Sequence, residues 1–181
     1  LKLLRSTFIP CNVYKNRIHK HNIEKENTYK AILCKGATQD RGNFLASDAA
    51  DNWVDGAGAV TAGDRHSFAV TLTDVVGNNN NVVKFLAYNN VPPGIPNVKT
   101  KSNVKEAGVI MISTADGVND GAWIVHTVPG FPAAKTGYSW PPAEIAKGLL
   151  LICMTIAETQ INAIGWYIAK SQLRHYFVLN H

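Results

Sequence analysis

Six histidines and a loop of three lysines are the side chains in this sequence best suited to chemistry on a phosphate or a proton. His126 falls within the strand-like run 123–128. Its imidazole, which titrates near neutrality, suits a nucleophile or a general acid or base, or a hydrogen-bonded wall of a core. His66 opens a helical pattern and is expected to face solvent, while His19, His21, His175 and His181 lie in basic or terminal segments and form no constellation. Lys99, Lys101 and Lys105 share one loop, where they would meet phosphate oxygens or simply be solvated. Trp123, Phe131, Tyr138 and Trp140 would either stack on nucleobases or pack a hairpin and the proline-rich loop after it. Cys11, Cys34 and Cys153 are too few for a disulfide scaffold and too scattered for zinc, which wants paired ligands two to four residues apart. One bridge and one leftover thiol is the arrangement they permit.

The elements that must position these groups are legible mainly after residue 44. Phe68, Leu72, Val75 and Val76 fall on one helical face, closed by Gly77 as a C-cap and by the Asn-rich run 78–81. Residues 82–88 form a short apolar run rich in β-formers that reads as a buried strand. Two further strand-like runs, 108–113 and 123–128, flank a polar turn over 114–121 and predict an antiparallel hairpin. Residues 149–156 are apolar enough for a central strand, Ile161, Ile164 and Ile168 predict a helix over 158–171, and 176–179 a last strand. The class is mixed α and β, with a mixed, largely antiparallel sheet flanked by helices.

At 181 residues the chain suits one domain of ordinary size. The apolar share of 46% excludes disorder, collagen and coiled coil, and no uninterrupted apolar stretch approaches the length that spans a bilayer, so no membrane partner is expected. The net charge of +5 is unevenly placed: residues 1–41 hold nine basic against three acidic groups, a surplus of +6, and residues 42–181 nine against ten, or −1. Basicity is therefore a property of the first segment, and by itself gives the rest of the chain no case for phosphate binding. Residues 1–43 read as a basic, irregular leader, and 44–181 as the folded unit. The chain begins with Leu and shows no signal peptide, which suggests a fragment or a processed product.

The segment Trp123-Ile124-Val125-His126-Thr127-Val128-Pro129-Gly130-Phe131-Pro132, followed by Tyr138-Ser139-Trp140-Pro141, closely resembles the signature of the deoxyribonuclease II family, the acid endonucleases that include plancitoxin-type toxins. The order of the surrounding elements fits over roughly 44–178. The resemblance implies a phospholipase-D-like architecture in which two similar halves each supply a His-x-Lys motif to one metal-independent site that needs no cofactor. One histidine attacks phosphorus, a second protonates the leaving oxygen, and the lysines hold the non-bridging oxygens. It implies DNA as the partner and a secreted or lysosomal location. It ties His126 to activity, and it pairs Cys153 in a disulfide with a cysteine near the mature N-terminus, for which Cys11 and Cys34 are the candidates.

Two departures weigh on that activity. Where the family's first half reads His-x-Lys-Gly before the hairpin strand, this chain has Lys105-Glu106-Ala107-Gly108 in the ungapped register, or Asn103-Val104-Lys105 with a shift of two. Neither holds the histidine, and asparagine accepts neither a phosphoryl group nor a proton, which leaves Lys105 an electrostatic role. The second His-x-Lys half is also missing, so the chain reads as the N-terminal half of the fold, inactive alone, served by an oligomer or a complementing second half. The alternative is a secreted, non-catalytic homologue that binds DNA or a host protein.

Overall fold

The computed structural model describes residues 30–47, 52–77, 82–94, 107–116, 120–170 and 176–179. Its centre is an eight-stranded sheet in the order β3-β2-β1-β7-β6-β5-β4-β8, and every pair is antiparallel. In chain order the strands are β1 (Lys30–Lys35), β2 (Asn43–Ala46), β3 (Val54–Asp55), β4 (Val83–Asn89), β5 (Ala107–Ser113), β6 (Asp120–His126), β7 (Leu149–Ala157) and β8 (Tyr176–Leu179). The expected hairpin is β5–β6, in a register that sets Ile112 against Gly121 and Ala107 against His126. Residues 149–156 form the expected central strand, with β1 on one side and β6 on the other.

β1, the whole loop to β2 and the first residue of β2 fall inside the segment expected to be an irregular leader, and that expectation fails from residue 30 on. Ala31, Leu33 and Lys35 alternate inward at 2%, 3% and 3% exposure, so a strand period is present but a lysine holds its third position. Lys35 is tolerated there because its Nζ donates to the backbone oxygens of Gly36, Ile145 and Lys147 at 3.0, 2.8 and 2.9 Å, tying β1 to the loop before β7.

Side-chain alternation divides the core into two layers. Val83, Phe85 and Ala87 of β4, Val109 and Met111 of β5, Ala122 and Ile124 of β6 and Leu149, Leu151 and Cys153 of β7 share one cluster with Phe68, Leu72 and Val75. On the opposite face Tyr88, Ile110, Ile112 and Ile156 pack under Ile164 and Ile168. These two belong to α3 (Ile161–Lys170), whose Trp166 and Tyr167 stay exposed. The helix expected to end at Gly77 is two short turns, α1 (Ser67–Thr71) and α2 (Thr73–Val76), meeting at Leu72. Thr71 Oγ1 and Thr73 Oγ1 donate back to the oxygens of Ser67 and Ala69, at 2.9 and 3.3 Å, a local competition that bends helices.

Gly108 makes a close crossing possible. A Cβ there would meet the Ile124 carbonyl oxygen and the Tyr88 hydroxyl. Tyr88, opposite Gly108 in the sheet, instead lies across it and accepts a hydrogen bond from Trp123 Nε1 at 3.1 Å. No described helix is long and apolar enough to cross a membrane.

Candidate functional site

The site begins where four strands end together. Asn89 of β4 pairs with Ala107 of β5, Ala107 with His126 of β6, and His126 with Leu151 of β7. The row thus crosses one end of the sheet on the face covered by α1 and α2. Loop 127–141 folds back over it. Thr127 exchanges bonds with Leu150: its amide reaches the Leu150 oxygen at 3.1 Å and its Oγ1 accepts from the Leu150 amide at 3.1 Å. The loop is also fastened to α2, since the amides of Lys135 and Gly137 donate to the oxygens of Val75 and Val76, both at 2.9 Å. These bonds meet carbonyls that a helix C-terminus leaves open.

Asn89 was not singled out in the sequence, yet it joins β4 to this loop. Its Nδ2 donates to the Phe131 oxygen at 2.8 Å, and its Oδ1 accepts from the Val91 amide at 2.9 Å. The Gly130 amide donates to the Val91 oxygen at 2.9 Å, and the Phe131-Pro132 bond is cis. The signal open to sequence reading was an Asn two residues before Val91-Pro92, the spacing of a side-chain turn.

His126 is 2% exposed. Its Nδ1 accepts from the Val128 amide at 3.2 Å, and its ring meets Phe131 edge to face at 5.6 Å. Burial alone pushes its pKa down to about 3. The imidazole is then neutral at ordinary and moderately acid pH. Because Nδ1 accepts, the single ring proton sits on Nε2, which has no hydrogen-bond partner. Such a ring offers no free lone pair to a phosphorus atom.

His66 departs from its sequence expectation of solvent exposure: it is 3% exposed. It is the N-cap of α1, and its Nδ1 accepts from the Phe68 amide at 3.2 Å. Its ring lies against Phe68, Tyr138 and Trp140 at 6.3, 6.2 and 6.4 Å, and burial lowers its pKa to about 4. The physical reason for the difference is the return of loop 127–141, which covers the start of α1 from a distance of some 70 residues in the chain. Tyr138 closes the arrangement, its hydroxyl donating to the Val60 oxygen at 2.6 Å while burial raises its pKa.

Of the other residues singled out in the sequence, Lys99, Lys101 and Lys105 lie outside the described residues, as do His19, His21, His175, His181 and Cys11. Ala107, which in the ungapped register takes the place of the lysine of His-x-Lys, is 1% exposed and sits beside His126. Cys153 is disulfide-bonded and Cys34 is a free, exposed thiol. Phe131 and Trp140 are buried and meet at 4.9 Å, and Trp123 is bonded to Tyr88, so these three aromatics pack the site and its underside. No group of three or more metal-ligating side chains occurs among the described residues.

An antiparallel sheet with two short helical turns on one face, one helix on the other and a signature loop folded over the strand ends defines the architecture. A family model described as Deoxyribonuclease II matches residues 19–179, and the chain belongs to the deoxyribonuclease II family. It is 31% identical over 117 residues to deoxyribonuclease-2-alpha of Rattus norvegicus, covering 64% of this chain and 32% of that protein. Over 112 residues it is 31% identical to the Bos taurus protein of the same name, covering 61% and 30%. Plancitoxin-1 of Acanthaster planci is 32% identical over 104 residues, covering 56% and 28%. The chain thus spans about a third of the length of these curated relatives.

Proposed function

We propose that this chain is a half unit of a deoxyribonuclease II-type phosphodiesterase with DNA as its ligand, secreted or lysosomal, and that it does not cleave DNA by itself. The observation that carries this reading is the state of the two described imidazoles. Attack on phosphorus needs an accessible, unprotonated ring nitrogen, and release of the leaving oxygen needs a second group to supply a proton. His66 and His126 are buried, and each spends its Nδ1 lone pair on a backbone amide. In the ungapped register the buried Ala107 stands in place of a motif lysine and removes a cation that would hold phosphate oxygens. His126 therefore acts as a positioning residue that fixes the turn into loop 127–141. A phospholipase-D-like pairing with a complementary half that carries His-x-Lys would complete the site, with Lys105 contributing charge. We assign Cys11 as the partner of Cys153.

Supercoiled plasmid incubated with the purified chain near pH 5 in chelator tests this directly, with His126→Ala purified in parallel to expose contaminating nuclease. Equal, background nicking by both is expected. Cleavage by the native chain that the variant lacks would overturn the proposal. The +6 surplus of residues 1–41 favours a second reading, a non-catalytic DNA- or host-protein-binding homologue. For DNA, affinity should then fall steeply between 50 and 200 mM salt, roughly tenfold or more if several phosphates are contacted; a flat response would remove DNA as the ligand.

A further inference from the structure

His66 and His126 lie in different parts of the chain yet repeat one arrangement. Each Nδ1 accepts from the amide two residues on, at 3.2 Å in both cases, and each Nε2 is buried with no hydrogen-bond partner. Both rings contact the same aromatic group of loop 127–141, His126 through Phe131 and His66 through Tyr138 and Trp140. Phe131 itself touches Tyr138 and Trp140, at 5.7 and 4.9 Å, so the two imidazoles bracket one cluster. Trp140 Nε1 is a third buried N–H there without a partner.

We infer that the two histidines form an acid-released clasp, which as neutral rings holds loop 127–141 and the start of α1 against the sheet and lets go of them on protonation. A proton taken up at Nδ1 turns an acceptor into a donor facing an amide donor, so the Phe68 or Val128 amide loses its partner as the ring gains charge. Among the described residues, the charge then sits between aromatic and aliphatic groups with nothing to balance it. His126 faces Ala107 of β5, Leu151 of β7 and Phe131, none of them ionisable. Around His66 the ionisable ring neighbour is Tyr138, whose hydroxyl is committed to Val60. The adjoining Asp64 and Arg65 are about 80% exposed and lie 3.7 Å from each other. The other buried charges among the described residues, Lys35 and Glu144, are bonded to backbone oxygens and to Lys147. Desolvation by burial lowers both pKa values. A protonated ring must reach water, and it does so by opening the contact with Phe131 or Trp140.

Amide hydrogen exchange read by NMR on the full chain from pH 7 to 4 tests this. Protection of the Phe68 and Val128 amides should fall about tenfold per pH unit below the ordinary histidine range, while amides of the β5–β6 ladder stay protected. His66→Asn and His126→Asn keep a side-chain acceptor for the same amide and cannot titrate, so protection there should become independent of pH. Flat protection in the native chain, or an equal fall in the asparagine variants, would overturn the clasp. Should a variant fail to fold, ring nitrogen shifts of the native chain at pH 6 decide: neutral rings protonated on Nε2 support the clasp, and a charged ring or a proton on Nδ1 refutes it.

Discussion

At the scale of single residues, the site is governed by groups that spend their polarity on the backbone. Asn89 is 3% exposed and satisfies two backbone groups of different segments, so truncating it strands the buried Phe131 carbonyl and the half-buried Val91 amide. Asn89→Ala is expected to destabilise by about 2–4 kcal/mol, read as a lowered urea midpoint with unchanged slope. An unaffected midpoint would mean that water substitutes for the side chain. Lys35 obeys the same logic with a charge, because its three carbonyl partners replace the water it loses. His126, the residue that most invites a catalytic role by type, has its reactive lone pair occupied and its ring enclosed.

At the scale of elements, the four strand ends and the loop above them form one unit. Phe131 is 1% exposed and contacts His126, Tyr138 and Trp140, so it joins β6 to the end of the loop. Removing its ring should cost about 3–5 kcal/mol and raise hydrogen exchange at Lys135 and Gly137, whose amides cap α2. On the other side of the sheet, Gly108→Ala would push a methyl group into the Ile124 carbonyl and the Tyr88 hydroxyl. A loss of about 1–3 kcal/mol is expected, together with a change in Trp123 absorbance as its bond to Tyr88 is displaced.

At the scale of the whole molecule, two buried neutral histidines make stability depend on pH. In the unfolded chain each ring binds a proton below about pH 6.5. In the folded chain it resists protonation until about pH 4 at His66 and about pH 3 at His126. Protons therefore favour the unfolded chain over that window: the contribution is complete above pH 6.5 and is lost as pH falls toward the folded values. At pH 5 each ring costs about 2 kcal/mol relative to neutral pH. Urea unfolding at pH 7 and pH 5 should show a clear drop for the native chain and a smaller one for His126→Asn; equal drops would show that this ring is not held neutral by burial.

Periodicity and turn residues determined β4, the β5–β6 hairpin, β7, α3 and the mixed class of the fold, because in those segments the apolar positions repeat with the period of the element itself. The signature around His126 determined the family. The sequence did not disclose β1, where a lysine takes an inward position and its compensation comes from carbonyls more than a hundred residues away. Nor did it disclose the burial of His66, which looks like an exposed helix start until loop 127–141 returns to cover it. Local pattern records which face of an element is apolar, whereas the protonation state and accessibility of a side chain depend on what distant segments bring to it, and only the tertiary structure decides that.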